Sequence, residues 1–242
     1  IFDTYNPSAA AEELFYDAID RLNGSGKRAV VVISGNHDNP ERLCAASTLA
    51  SKYGIFLLGY PGSDAGEYIT GDIKELADVE NRQNRASLAA SGPGWLELSV
   101  PACDHNAVII TMPYPSESRL EELLSQEADE TLLQKAYSDK IGSIFSSRAE
   151  RFRNDTVNLI VAHLFLIGGI PSDSERTLQV GGAMTVSPDI IPEKAHYAAL
   201  GHLHRPQEIR GTVCPAFYSG SPLAYSFSES DYSKAVMIID AV

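Results

Sequence analysis

The sequence predicts a layered α/β fold, and three observations carry that prediction. Helical and strand periodicities alternate through the first half of the chain, short apolar β-branched runs dominate after Thr156, and three such runs stop at side chains able to hold a cation. Val30-Val31-Val32-Ile33 runs into Gly35-Asn36-His37-Asp38, Leu159-Ile160-Val161 into His163, and Tyr197-Ala198-Ala199-Leu200 into Gly201-His202-Leu203-His204. Open α/β sheets place their ligands beyond the carboxyl ends of their strands. Neutral imidazole and amide oxygen together suit a hard to borderline divalent ion. Three converging strand ends of this kind point to a catalytic metal centre.

Each element has its own local signal. Asn6-Pro7-Ser8 opens a helix, with a capping side chain and Pro at the first helical position. Leu14, Phe15, Ala18, Ile19 and Leu22 then recur at helical spacing until Gly24 and Gly26 end it. Ala29 to Ser34 reads as a strand, Asn39-Pro40 as the cap of another helix, and Ile55 to Leu58 as the next strand. Residues 61–94 hold no sustained period and read as a surface excursion. Strand signals return at Trp95 to Val100 and Ala107 to Met112, and Pro113-Tyr114-Pro115 stops the second. Helical patterns follow from Glu117 to about Arg151; Glu117, Glu121, Glu122, Glu127, Asp129 and Glu130 read there as a solvated face. Beyond Thr156 the expected strands are Val157 to Ala162, Tyr197 to Leu200, Ala216 to Ser219 and Ala235 to Ile239. No internal repeat or low-complexity tract interrupts this order, so one layered domain is the simplest organisation.

Composition narrows the function classes. No stretch approaches the roughly 20 apolar residues that cross a bilayer, and no charged-then-apolar leader opens the chain, so a cytoplasmic protein without membrane contact is expected. Cys44, Cys103 and Cys214 are three in number and far apart, and they read as reduced thiols. A formal charge of −13 over 242 residues argues against general phosphate attraction as a means of gripping nucleic acid. Bound dications and a partner subunit can supply the missing positive charge.

The residues at the strand ends define the chemistry. His202 and His204, one residue apart, are expected to meet one centre through a turn between Gly201 and Arg205-Pro206, giving one imidazole to each of two adjacent ions. Two ions about 3.5–4 Å apart can polarise a phosphoryl group, generate hydroxide and steady a leaving oxygen, which is phosphoester hydrolysis. Asn36 offers an amide oxygen. His37 sits near it without having to be a ligand, and Asp38 could hold its ring in one tautomer, leaving it able to protonate a departing alkoxide. His105, in Ala102-Cys103-Asp104-His105-Asn106, looks like part of a hairpin turn, and His196 precedes its strand; both read as structural. Tyr218, Tyr225 and Phe227 could stack on bases, but aromatic side chains beside strands are more often core or rim.

Assembled, these motifs resemble those of the calcineurin-like metallophosphoesterases: G-N-H-D, a strand-ending His and G-H-x-H. Softer segments narrow the resemblance to the SbcD family, the nuclease subunits of bacterial SbcCD complexes that act on double-strand DNA ends. They are Ile1-Phe2-Asp3-Thr4, Pro113-Tyr114-Pro115-Ser116, Ser172-Asp173-Ser174-Glu175-Arg176, Ala199 to Arg205 and Tyr218-Ser219-Gly220-Ser221-Pro222. The likeness covers nearly the whole chain and is weakest over residues 61–94. It implies a sandwich of two β-sheets flanked by helices, with residues 1–242 as one nuclease domain. It also implies that Asn36, His163 and His202 hold one metal, that His204 helps hold the other, and that His37, supported by Asp38, is the proton donor. Two divalent ions, Mn2+ in nuclease members, would be the cofactors. DNA and an SbcC-type ATPase would be the partners, with a homodimer inside a heterotetramer.

The family's D-x-H motif and its G-D motif are absent from residues 1–242, and Ile1-Phe2-Asp3 reads as if it starts just after that G-D. The fold is therefore expected to lack its first strand, leaving a sheet edge exposed, and to lack the family's carboxyl-terminal capping segment. The fragment itself is expected to bind metal weakly and to be nearly inactive, because neutral ligands alone leave the repulsion of two dications uncompensated. Two other readings stay open. One is a phosphoesterase for small substrates or nucleotides, which the negative charge mildly favours; the other is a non-catalytic partner-binding domain.

Overall fold

The computed structural model describes residues 1–69, 84–101, 103–120, 129–172, 175 and 184–241. They group into two compact units, Ile1–Tyr114 with Asn154–Val157, and Pro115–Arg153 with Asn158–Val242.

In the first unit, helix α1 (Ala9–Asn23) begins at Ser8, whose side chain accepts the Ala11 N–H, and ends at Gly24 with φ 60°. The cap is therefore Ser8 and not Asn6, and Pro7 stands before the helix. The expected apolar stripe is buried only at Ile19 and partly at Phe15, while Leu14 and Leu22 are exposed. Strand β1 (Val30–Ile33) pairs in parallel with β2 (Ile55–Leu58), Val30 opposite Ile55. Between them lie α2 (Pro40–Cys44), capped by Asn39 as its Asn-Pro sequence predicts, and α3 (Ser47–Ala50). Ile19, Leu43, Ile55 and Leu57 form the core here, with Phe15, Val30 and Val32 packed against them. β2 is buried throughout, whereas every residue of β1 is half-buried. Among the described residues this pair has no third strand.

The region read as an irregular excursion contains a strand. β3 (Ser87–Gly92) pairs antiparallel with β4 (Trp95–Ser99), with a bulge between Leu88 and Ala90, and β4 pairs antiparallel with β5 (Asn106–Met112). Ser-Leu-Ala-Ala-Ser-Gly has little strand propensity of its own, so its conformation comes from the ladder to β4. Residues 70–83 of that excursion lie outside the described residues. Beyond β5, the Tyr114 N–H donates to the Ser34 carbonyl, tying this meander to the loop that follows β1.

In the second unit, the predicted helical stretch holds α4 (Glu117–Leu120) and α5 (Glu130–Ala149), with Glu121, Glu122 and Glu127 outside the described residues. Asp129 caps α5 by accepting the Thr131 and Leu132 N–H groups. β6 (Thr156–His163), whose first two residues group with the first unit, alternates buried and half-buried residues, as a strand's period of two requires. Two short strands, β7 (Phe165–Leu166) and β8 (Thr185–Val186), pair in parallel. β9 (Tyr197–Gly201) pairs in parallel with β6 on one side and with β11 (Ala216–Tyr218) on the other. β10 (Gln207–Glu208) runs antiparallel to β11. Tyr218 of β11 ties this sheet to the segment that carries β7: its buried hydroxyl donates to the Leu164 carbonyl at 2.6 Å and accepts the Leu166 N–H at 3.0 Å.

The last expected strand does not form. Residues 235–239 carry no ladder, and Val236 and Ile238 are 83% and 92% exposed. An apolar run becomes a strand only when a neighbour satisfies its backbone groups, and none of the described strands pairs with this one. The three cysteines are free thiols, and burial pushes the Cys44 and Cys214 thiols up from their ordinary values.

Candidate functional site

The candidate residues divide between the units: Asn36, His37 and Asp38 lie in the first, and His163, His202 and His204 in the second.

The loop after β1 is built around Asp38. Its side chain is fully buried, and it accepts the Gly35 N–H at 2.6 Å, the Phe2 N–H at 2.8 Å and the amino group of Ile1 at 3.1 Å. A carboxylate gathering several N–H groups can fold a loop back on itself, so the turn rests on Asp38 and not on a left-handed Gly35, which has no positive φ. This corrects the expected role of Asp38. The His37 ring is held instead by the main chain of Asp3, whose carbonyl lies 2.9 Å from Nδ1. A carbonyl only accepts, so His37 Nδ1 carries a proton and the ring turns Nε2 the other way. Asn36 and His37 are both half-buried.

In the second unit the ladder between β6 and β9 sets His163 opposite Gly201. That glycine is a matter of space: a Cβ there would lie 3.1 Å from His163 Nδ1. One residue on, His202 has φ 114°, a backbone region that side-chain-bearing residues rarely enter and that clusters at functional sites. The His163 and His202 rings meet edge to face with centroids 5.3 Å apart. Bringing His202 and His204 to one side does not itself need a turn, since residues two apart share a strand face; the turn expected on that ground has a different use. It breaks the strand at Gly201 and sends Leu203 into the core at 2% exposure, with both histidines left half-buried.

His204 is held at ring and backbone alike. Glu229 Oε1 lies 3.0 Å from Nδ1, and Glu175 accepts its N–H at 2.6 Å. The Ser221 N–H donates to its carbonyl at 3.1 Å, from a turn in which Gly220 has φ 80°. The segments Ser172 to Arg176 and Tyr218 to Pro222, given no task by the sequence, thus include supports of the G-H-x-H loop; Asp173, Ser174 and Arg176 lie outside the described residues. Glu175 and Glu229 had no local signal. His105 and His196 are structural as expected: His105 joins Asp104 between β4 and β5, and His196 exchanges hydrogen bonds with the backbone of Asn158.

Among the described residues no three His, Cys, Asp or Glu side chains cluster closely enough to hold a metal by themselves. The histidines of the second unit nonetheless fit a divalent ion in chemistry: three imidazoles, one on strained backbone and one backed by a carboxylate, as metal-binding histidines commonly are.

The mixed α/β architecture, with its multistranded sheet and helices, is consistent with a metallophosphoesterase-type fold. The chain is similar to the SbcD component of the SbcCD nuclease of Bacillus subtilis (strain 168), at 44% identity over 99% of its own length and 54% of that protein. The SbcD components from Rhodobacter capsulatus and Staphylococcus epidermidis are each 28% identical over 99% of the chain. The chain spans about half the length of the curated relatives it matches, between 53% and 54% of these three. No protein-family model matches it. None of the helices among the described residues is long and apolar enough to cross a membrane.

Proposed function

We propose that residues 1–242 form the phosphoesterase domain of a cytoplasmic nuclease that hydrolyses DNA phosphodiesters at double-strand ends, working with an SbcC-type ATPase as a homodimer within a heterotetramer. The observation that carries this reading is the similarity to the SbcD component of the SbcCD nuclease along 99% of the chain. The strained His202 beside His163 and the doubly held His204 support it, because such rigid placement is what a ligand needs and a surface histidine does not.

In this reading Asn36, His163 and His202 hold one divalent ion and His204 contributes to a second, Mn2+ being the candidate metal. Such ions, when bound, supply Lewis-acid polarisation of the phosphoryl group and a nucleophile from water. His37 delivers the proton. With Nδ1 committed to the Asp3 carbonyl, the imidazolium can give up only its Nε2 proton, and it gives that proton to the departing alkoxide. Asp38 acts one step away, by folding the loop that carries Asn36 and His37.

The test is Mn2+-dependent cleavage of linear duplex DNA against a nitrophenyl phosphodiester, measured in a full-length protein of this kind that carries the sequence of residues 1–242, with His37→Gln as the variant; residues 1–242 alone, with neutral ligands only, should be nearly inactive. Cleavage of duplex DNA, lost in His37→Gln with metal binding retained, is the expected result. Turnover of the small ester with intact DNA would transfer the reading to a small-substrate phosphoesterase. Activity unchanged by His37→Gln would remove His37 from the chemistry.

A further inference from the structure

We propose that Glu229 is a positioning residue that fixes the His204 imidazole with its proton on Nδ1, so that Nε2 is the nitrogen turned toward a cation. This rests on the reading of His204 as a metal ligand.

The Glu229 side chain is fully buried, which a carboxylate tolerates only when its oxygens are well partnered. Its two oxygens are divided between tasks. Oε2 meets Lys234 Nζ at 2.5 Å, Ser221 Oγ at 3.3 Å and the Tyr225 N–H at 3.3 Å. Oε1 faces His204 Nδ1 at 3.0 Å, with Ser172 Oγ at 3.4 Å. A carboxylate clamped by an ammonium is an acceptor, so the ring nitrogen facing it is the donor. The single Ser172 hydroxyl proton goes to Glu175 at 2.7 Å, the group that holds the His204 N–H. Ring and backbone of one histidine are thereby tied to two carboxylates.

The Lys234 ion pair engages Oε2, while Oε1 is the oxygen turned toward His204. The functional consequence lies in the tautomer. A neutral imidazole exchanges between two forms, and the wrong one places its proton on the nitrogen that must face the ion. Removing such an outer partner typically lowers metal affinity about 10–100-fold.

The experiment uses the full chain, selectively labelled at histidine, with long-range nitrogen–proton correlation spectra to read the His204 tautomer and Mn2+ alone as the probe. The metal-free protein should show His204 protonated at Nδ1, and Mn2+ should broaden its signals. Glu229→Ala should mix the tautomers and weaken Mn2+ binding about 10–100-fold. Glu229→Gln should recover most of that loss, because its amide oxygen can still accept from Nδ1 although the charge facing Lys234 is gone. Equal effects of Ala and Gln would assign Glu229 to the ion pair alone and overturn the proposal, as would a wild-type His204 protonated at Nε2. The wild-type tautomer and the Gln variant decide the matter even if Glu229→Ala does not fold. Mn2+ that leaves His204 untouched in the wild type would remove the ligand reading, and the proposal with it. Mn2+ that broadens His204 while both variants bind as wild type would remove only the role of Glu229.

Discussion

Gly220→Ala puts the support of the G-H-x-H loop to a quantitative test. Gly220 has φ 80°, and a Cβ built there would stand 2.6 Å from the His204 carbonyl oxygen and 2.8 Å from Pro206 Cδ. The nearest obstacle is backbone, so no side-chain rotation relieves it. Holding an L-residue at positive φ costs about 1–2 kcal/mol, and forcing extra atoms into occupied space costs about 1–3 kcal/mol. The sum, about 2–5 kcal/mol, is a large share of the roughly 5–15 kcal/mol that keeps a domain folded. Urea unfolding followed by circular dichroism should show that loss. Amide exchange adds a local readout, since the Ser221 N–H bonds the same His204 carbonyl at 3.1 Å and should exchange faster as the two segments part. A loss below about 0.5 kcal/mol, the range of ordinary surface changes, with Ser221 still protected, would refute the account of this turn.

Asp38→Ala removes the acceptor of the Gly35 and Phe2 N–H groups, and at about 1–3 kcal/mol for each donor it should destabilise the chain by about 2–6 kcal/mol in urea unfolding. Glu175→Ala frees the N–H groups of His204 and Ser172, so exchange at both amides should accelerate while exchange in β1 and β2 stays as it was. At alkaline pH, burial pushes Tyr68 up to about 12 from 10.0 and raises Tyr218 in the same direction. The folded state keeps these protons where the unfolded chain releases them, so their stabilisation is complete below pH 10.0 and is lost as pH rises through the raised folded-state values, about 12 for Tyr68. Phenolate absorbance should place both tyrosines among the last to ionise, and their replacement by Phe should flatten the alkaline loss of stability.

Local chemistry was enough wherever a segment's conformation is decided by its own atoms. Val30–Ile33 and Ile55–Leu58 are β-branched and aliphatic runs between turn formers, and both are strands within a residue of where they read. Asn39-Pro40 caps its helix because the side chain and the pyrrolidine act within one turn. The helix at Ala9 starts two residues later than its first signal because Ser8, not Asn6, caps it by accepting the Ala11 N–H. Ser87–Gly92 and residues 235–239 are opposite failures with one cause. A strand is a pair, and the partner lies elsewhere in the chain: β4 makes a strand of a weak sequence, and an apolar run left unpaired does not form one.

The candidate site follows the same division. Which side chains could ligate was readable from three strand ends, because imidazole and amide donors at β-carboxyl termini are a local pattern. Which groups aim them was not. Glu229 stands 25 residues after His204 in an unremarkable Ser-rich stretch, and Asp3 holds His37 through a carbonyl that every residue possesses. By itself, then, the sequence determined which candidate donors stand at strand ends and where those strands run, since both are properties of residue type and short-range periodicity. Tertiary structure alone decided the burial of Asp38 and Glu229, the strain at His202 and the Nδ1 partners of His37 and His204, because burial and hydrogen-bond pairing exist only between residues that the fold brings together.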